Sequence, residues 1–447
     1  MGICSSFRGM SFLFKGENKM KYGLLGSNLE NNFSKDIAEQ FGLTDFKEKE
    51  LSENRFVDFL EGKNYEAISI TFPYKKMALN HVDYVSDLAK EIGAVDTVIV
   101  KDGATYGYNT DYKGFEYMME RHKISLEGKK VLIIGNGGTA QSVKMIAKKM
   151  KAREINVVDI KKSLGAISYT ECYAKHLDSQ IVINTSPVGM SPKIEETPID
   201  MSLFDQCEAV IDVIFNPILT RFGLDAQENN MKRIIGIEML VAQMKATVEL
   251  ITGQTISNEL LDEVIHNTLI KNCNVVLIGM PSSGKTTIGM MLSEKLNKEF
   301  IDMDHVIVND TKMSVPDIFS HSGEKGFRKL ETLTALKLST LNNVIIGTGG
   351  GTIKNKINMD YLRLNGIIFF IDRDLENLVT EDPNRPLSSS AAAVAKLYDE
   401  RYPIYQKYAT AIIPNNDDIE DTVEEIIRAY HKIAKHAVSE EEYTINK

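Results

Sequence analysis

Cysteine is scarce and scattered. Cys4, Cys172, Cys207 and Cys273 form no Cys-x-x-Cys and have no histidine partner in sequence. That excludes a disulfide framework and a zinc site and fits a reducing cytoplasm. No apolar run is long enough to span a membrane, so no membrane partner is expected. Positive charge is outnumbered, 52 Lys and Arg against 62 Asp and Glu, for a net charge of −10. This balance argues against a nucleic-acid partner and confines any anion site to a local basic pocket. Gly/Ser-rich linkers, repeats and low-complexity tracts are also missing. What remains, 43% apolar and 26% charged over 447 residues, is the composition of a globular protein with two or three separate cores.

The two ends carry little chemistry. Met1-Gly2-Ile3-Cys4-Ser5-Ser6 fits the N-myristoylation pattern formally. Residues 1–19 have no periodicity, however, and a strand-like run opens at Met20, so they read as an extension. Ser11-Phe12-Leu13-Phe14 is too short for the apolar core of a secretory signal. Residues 436–447 form an acidic tail.

Two glycine loops stand out between them. Val275-Val276-Leu277-Ile278 runs into Gly279-Met280-Pro281-Ser282-Ser283-Gly284-Lys285-Thr286-Thr287, and a helix follows. This is the strand–loop–helix layout of a P-loop for ATP. The backbone of Gly279, Ser282, Ser283 and Gly284 cradles phosphate, Lys285 reaches the β/γ-phosphates, and Thr286 ligates Mg²⁺, with Thr287 beside it. The second loop, Gly135-Asn136-Gly137-Gly138-Thr139, follows the strand Lys129–Ile134 and precedes a helix running to Lys151. The next strand, Ile155–Val158, ends at Asp159, which gives a dinucleotide-type βαβ unit, although Gly-x-Gly-Gly is shorter than the full fingerprint. Strands and helices alternate along most of the chain, which predicts parallel α/β sheets.

Downstream of the P-loop, Phe300-Ile301-Asp302-Met303-Asp304 reads as a strand end whose two carboxylates project to one side. One would serve Mg²⁺ and the other a substrate hydroxyl. Gly326-Phe327-Arg328, Gly349-Gly350-Gly351, Arg385-Pro386-Leu387 and Arg401-x-Pro403-x-Tyr405 follow in order, with Arg385 and Arg401 read as loop or helix-edge positions. This ordered set resembles shikimate kinase. The resemblance implies that Asp304 orients and deprotonates the 3-hydroxyl of shikimate, with Asp302 and Thr286 at the metal. It also implies that Arg328, Glu331, Gly349, Gly350, Gly351 and Arg401 hold the substrate, while Arg385 belongs to a lid over the transferred phosphate.

In the first half, Thr71-x-Pro73-x-Lys75 reads as a strand ending in a lysine. Gly93-Ala94-Val95-Asp96-Thr97, Asn109-Thr110-Asp111, Asn184-Thr185-Ser186-Pro187 and Met239-Leu240-Val241-Ala242-Gln243 follow. The series resembles shikimate dehydrogenase. The resemblance implies Lys75 and Asp111 as the catalytic pair reducing 3-dehydroshikimate. Asn32, Ser34, Thr71, Asp96, Phe215 and Gln243 would be at the substrate, and Gly135, Asn136, Gly137, Gly138, Thr139, Asp159 and Gly236 at NAD(P). Five positions depart from the family pattern. Asn31-Asn32 stands for His-Ser, Asp96 for asparagine, Phe215 for tyrosine and Glu238 for glycine. These departures keep a second reading open, in which the first half is a binding module or takes a related substrate such as quinate. The cofactor also stays open. Asp159 would accept from a ribose 2′-OH and favour NAD, while Lys161 and Lys162 would partly restore NADP, the family default.

The expected fold is α/β throughout: an N-terminal substrate-binding α/β domain with a Rossmann domain, then a P-loop domain like the nucleoside-monophosphate kinases. The boundaries expected are 20–120 with 237–262 for the substrate domain, 121–236 for the Rossmann domain and 271–435 for the kinase. A helix ending near Ile265 and a polar turn would join the halves.

Overall fold

The computed structural model describes residues 19–30, 32–161, 165–378 and 391–436. Asn31, Lys162, Arg385 with the rest of its lid, the N-terminal extension and the acidic tail lie outside the described residues. The chain forms three sheets in sequence order.

The first sheet has six strands in the order Phe46–Glu50, Met20–Gly26, Tyr65–Ile70, Thr97–Lys101, Ala104–Tyr108, Tyr84–Val85. Its first three strands run parallel, and Thr97–Lys101 is antiparallel to both of its neighbours. The second sheet is all parallel in the order Lys232–Ile234, Ala209–Asp212, Ile181–Asn184, Lys130–Ile134, Glu154–Val158. Its strand order reverses beside Lys130–Ile134, so the glycine loop that follows this strand opens into the crevice where α/β sheets bind ligands. The third sheet is also all parallel, Glu299–Asp302, Val344–Gly347, Asn274–Ile278, Gly366–Asp372, Ala411–Pro414, with the P-loop strand at its centre. Val275, Val276, Leu277 and Ile278 are all buried, as an unbroken apolar strand covered on both faces requires. Among the described residues, no helix is long and apolar enough to cross a membrane, and no cluster of His, Cys, Asp and Glu could hold a metal.

The connection between halves differs from the expectation. The helix placed up to about Ile265 runs from Asn258 to Asn272, and the P-loop strand starts at Asn274 with no polar turn between. Its last carbonyls are satisfied from far along the chain. Lys298 Nζ donates to the carbonyls of Ile270, Lys271 and Cys273 at 2.9, 3.2 and 3.0 Å, and Tyr430 OH donates to Ile270 and Cys273 at 2.7 and 2.9 Å. A helix end so capped does not need the Gly or Asn that a sequence reading looks for. Its apolar face, Leu261, Val264, Ile265 and Leu269, lies in one buried cluster with Ile37, Val241 and Val248 of the first half and Val423, Ile426 and Tyr430 of the second.

Candidate functional site

The first candidate site forms where the first two sheets meet. The strand expected to end in Lys75 stops at Ile70, and Lys75 instead opens the short helix Lys75–Ala78. Asp111 opens the helix Asp111–Arg121 and is buried. Lys75 Nζ donates to both carboxylate oxygens of Asp111, at 2.8 and 2.6 Å. Thr139 of the glycine loop donates to the same carboxylate at 2.8 Å and lies 3.4 Å from Lys75 Nζ. A Cβ on Gly138 would come within 2.7 Å of the Lys75 Cβ, so only glycine lets the loop approach the pair this closely. The loop and the Lys–Asp pair are thus one site.

The dinucleotide loop has the form that the cofactor needs. Gly135 takes φ +93°, and Gly137 precedes the helix Gly138–Lys149, whose N-terminus is the place for a pyrophosphate. Asp159 braces the loop: its two oxygens accept from the amides of Asn136 at 2.8 Å and Lys161 at 2.7 Å. Lys76 Nζ donates to the Asn136 carbonyl at 2.8 Å, a brace the sequence reading missed because Lys76 looked like any surface lysine. Gly236 opens the helix Ile237–Thr252, and a Cβ there would strike the carbonyls of Val213 and Ile214.

The substrate-side candidates lie on several elements of the first half. Asn32 Oδ1 accepts from the Ser34 amide at 2.7 Å, and Phe33 between them packs on Phe215 with ring centroids 5.4 Å apart. The Thr71 amide, just past the end of the strand Tyr65–Ile70, donates to the Leu25 carbonyl at 2.9 Å. Gln243 lies against Gly114, on the helix that Asp111 opens. Glu238 turns away from the cleft, with Oε2 2.8 Å from His122 Nε2.

Asp96 requires a correction. It was expected at the substrate, but it is fully buried and its oxygens serve the protein. Oδ1 accepts from Thr97 Oγ1 at 3.0 Å and from Thr110 N and Oγ1 at 2.7 and 2.9 Å, and Oδ2 accepts from the Asp111 amide at 2.8 Å. Asp96 therefore caps the helix that presents Asp111. Burial, and then the nearby Asp111 charge, push its carboxyl up to about 6. A raised acid contributes stability that is complete below its unfolded value of 3.8 and is lost as pH rises through about 6. Asp96→Asn cannot accept from both amides, and an orphaned buried N–H costs about 1–3 kcal/mol. The wild type should therefore melt above Asp96→Asn, and the gap should widen between pH 7 and pH 5. Thermal unfolding followed by circular dichroism checks it, and a gap that is constant with pH would count against this role.

The second candidate site surrounds the P-loop. Gly279, Ser282 and Gly284 take φ of +155°, +65° and +93°, the turn that aims successive amides inward at an anion. A Cβ on Gly279 would lie 2.7 Å from the Ile371 carbonyl, and one on Gly284 2.7 Å from Asn415 Nδ2. Asn415 donates to the Ser283 carbonyl at 2.8 Å and so holds the loop. The sequence reading missed Asn415, since Pro414-Asn415-Asn416 has the look of an ordinary turn. Lys285 Nζ donates to the carbonyls of Gly279 and Met280 at 2.9 and 2.8 Å. Thr286 and Thr287 are exposed in the first helical turn after the loop.

Asp302 and Asp304 also differ from the expectation. The strand stops at Asp302, which caps the helix Met303–Thr311 by accepting from the His305 amide at 3.1 Å, and Asp304 sits in that helix's first turn. They are not alternate residues of one strand. Asp302 Oδ2 nevertheless lies 3.5 Å from Thr286 Oγ1, a hydroxyl–carboxylate pair suited to a magnesium ion that takes its remaining ligands from phosphate and water.

The triple glycine ties these groups together. A Cβ on Gly349 would lie 2.9 Å from Asp304 Oδ1 and 3.1 Å from Glu331 Oε1, and one on Gly350 2.9 Å from Pro281 of the P-loop. One on Gly351 would overlap the Arg328 guanidinium. Arg328 pairs with the buried Glu331, which in turn accepts from Thr352 Oγ1 at 3.0 Å. Arg401 does not lie in a loop or at a helix edge. It is buried within the helix Ala391–Tyr408 and donates to the Gly350 carbonyl at 2.9 Å, beside Tyr405 OH at 2.6 Å. Two guanidinium groups, a carboxylate and a close backbone thus meet beside a phosphate loop.

Comparison with known proteins divides along the same lines. The family model for the shikimate dehydrogenase substrate binding domain matches residues 28–98, and that for shikimate kinase matches 281–431. The chain is 33% identical over 250 residues to a shikimate dehydrogenase (NADP(+)) of Clostridium perfringens, covering 52% of this chain and 92% of that protein. It is 44% identical over 155 residues to a shikimate kinase of Clostridium beijerinckii, covering 34% of this chain and 91% of that one. Among solved structures, shikimate dehydrogenase 1 from Peptoclostridium difficile superposes with a TM-score of 0.51 at 28% identity, over 54% of this chain and 95% of that one. A chorismate mutase/shikimate 5-dehydrogenase fusion protein from Clostridium acetobutylicum gives 0.50 at 29%, over 56% and 96%. With a Lys–Asp pair at a dinucleotide loop in one half and an arginine-lined P-loop site in the other, the chain belongs to the shikimate dehydrogenase family over its first half and to the shikimate kinase family over its second.

Proposed function

We propose that this chain catalyses two consecutive reactions, reduction of 3-dehydroshikimate to shikimate and phosphorylation of the shikimate 3-hydroxyl. The observation that carries the first is the contact of Lys75 and Asp111 with Thr139 and Gly138. It sets a proton donor beside the loop that holds a nicotinamide dinucleotide. When bound, the dinucleotide supplies a hydride and ATP supplies the phosphoryl group. Lys75 donates a proton to the alkoxide oxygen that develops at C3, and Asp111 fixes the ammonium in place and balances its charge. Ser34, Thr71 and Gln243 hold the substrate's hydroxyls and carboxylate, and the Phe33–Phe215 contact closes one wall.

In the second half Arg328 and Arg401 take the shikimate carboxylate, since a guanidinium fork matches its two oxygens. Glu331 holds Arg328 in position. Asp304 orients the 3-hydroxyl and takes its proton, and Lys285 balances charge on the transferring group. Asp302 and Thr286 hold Mg²⁺, and Arg385 acts from the lid. The dinucleotide is NADP(H) or NAD(H). The engagement of Asp159 with two backbone amides leaves less of its charge to repel a 2′-phosphate, which supports NADP(H) as the faster partner.

The test uses the purified chain. Oxidation of NADPH and of NADH is followed with 3-dehydroshikimate, and ADP release is followed with shikimate. Turnover in both assays, faster with NADPH, is the expected result. Dehydroshikimate binding without oxidation of either cofactor would reduce the first half to a binding module, and preferred phosphorylation of another hydroxy acid would displace the second assignment.

A further inference from the structure

The loop that carries Phe215 connects the strand Ala209–Asp212 to the helix Arg221–Glu228. Its near end is fixed within the dehydrogenase half. Asp212 accepts from the Ile214 amide at 3.0 Å, from Asn184 Nδ2 at 3.1 Å and from Thr220 Oγ1 at 2.6 Å. Its far end is held by Thr220 as well, but the residues just before Thr220 are held from the other half. The Ile218 amide donates to Asn365 Oδ1 at 2.9 Å, and the Leu219 amide donates to the Leu364 carbonyl at 2.9 Å. Both acceptors end the kinase helix Lys356–Asn365.

Asn365 is buried, and its Nδ2 donates to the Ser339 carbonyl at 3.0 Å, so the side chain cannot rotate away without losing a second bond. Around it Ile194 and Leu224 of the first half pack on Leu364 of the second. Arg221 Nη1 donates to the buried Asp360 at 2.9 Å, and Asp360 also accepts from Lys356 Nζ at 2.7 Å. The loop is therefore clamped between its own sheet and the other enzyme.

We propose that the kinase half completes the dehydrogenase site, with Asn365 and the Leu364 carbonyl acting as positioning groups that set Phe215 on Phe33, between Asn32 and Ser34. The Ile218 bond is buried and the Leu219 bond lies beside it, and each takes up a backbone amide. Freed of them, the segment 213–219 samples other conformations, and the wall it forms binds substrate less well. The proton-donating pair, Lys75 and Asp111, is untouched by such a change. The signature is a rise in KM at nearly constant kcat, the mark of lost uniform binding. The inference rests on the dehydrogenase reading above.

The test compares the full chain with Asn365→Leu, Asn365→Asp and Arg221→Gln. Asn365→Leu should raise the KM for 3-dehydroshikimate about fivefold with kcat within about twofold, the worth of one buried hydrogen bond. Amide exchange in the peptide spanning 213–221 should quicken about tenfold. Asn365→Asp keeps the oxygen that accepts from Ile218 but sets its other oxygen against the Ser339 carbonyl, so it should recover both effects only at acid pH, where the protonated carboxyl can donate to that carbonyl. Arg221→Gln, which leaves the kinase core intact, should move KM the same way by about twofold. Kinase constants serve as the internal control and should stay within about twofold. An unchanged KM and exchange rate in Asn365→Leu would overturn the proposal. So would a parallel fall of both activities with Arg221→Gln silent, since that marks general unfolding. Should the wild type fail to reduce 3-dehydroshikimate, the functional reading falls, while the exchange rates still decide whether Asn365 holds the loop.

Discussion

Lys75→Ala should lower the dehydrogenase kcat by about 10³-fold, within the range for losing a positioned general acid, and leave shikimate phosphorylation unchanged. The geometry favours a loss in kcat over one in KM. Lys75 is hydrogen-bonded to Asp111 and stands beside Thr139 of the glycine loop, while the groups assigned to substrate binding lie on other elements. Removing the ammonium also leaves Asp111 as a buried carboxylate with Thr139 but no countercharge. Lys75→Met keeps the volume and removes only the charge, so it should lose as much activity with less effect on folding. Steady-state oxidation of NADPH measures the loss, and a fall of less than tenfold would show that the proton comes from elsewhere.

Asp304→Asn should produce the complementary result, a fall in kinase kcat of about 10²- to 10⁴-fold with the KM for ATP little changed. The amide has the same shape and could still accept from the shikimate hydroxyl, but it could not take its proton. NADPH oxidation in the same variant should match the wild type, which makes each half the folding control for the other. A kcat within tenfold of normal would mean that Asp304 only orients its ligand.

Much of the second site was legible because its chemistry constrains the backbone. Gly279, Gly284 and Gly351 stand where a side chain would strike the Ile371 carbonyl, Asn415 or Arg328, so residue type and position are bound together. The Asp302–Asp304 pair was misread because a period-2 pattern was carried two residues too far. The i to i+3 bond from Asp302 to the His305 amide is the helix-cap signal that ends the strand. Asp96 could not be read from sequence, since its partners Thr110 and Asp111 lie more than ten residues away, at the start of another helix. The true end of the connecting helix was hidden for the same reason, its caps lying at Lys298 and Tyr430.

Those caps bear on how the protein is made. A ribosome releases the dehydrogenase half first, with the helix Asn258–Asn272 already attached to it. Lys298 follows soon after, but Tyr430 and the helix Ile419–His436 that cover the remaining apolar face follow only after the body of the kinase half. At roughly 5–20 residues per second, that face waits about ten to thirty seconds for its cover. The nascent first enzyme therefore spends its first moments with a sticky seam, and only synthesis of the second enzyme closes it.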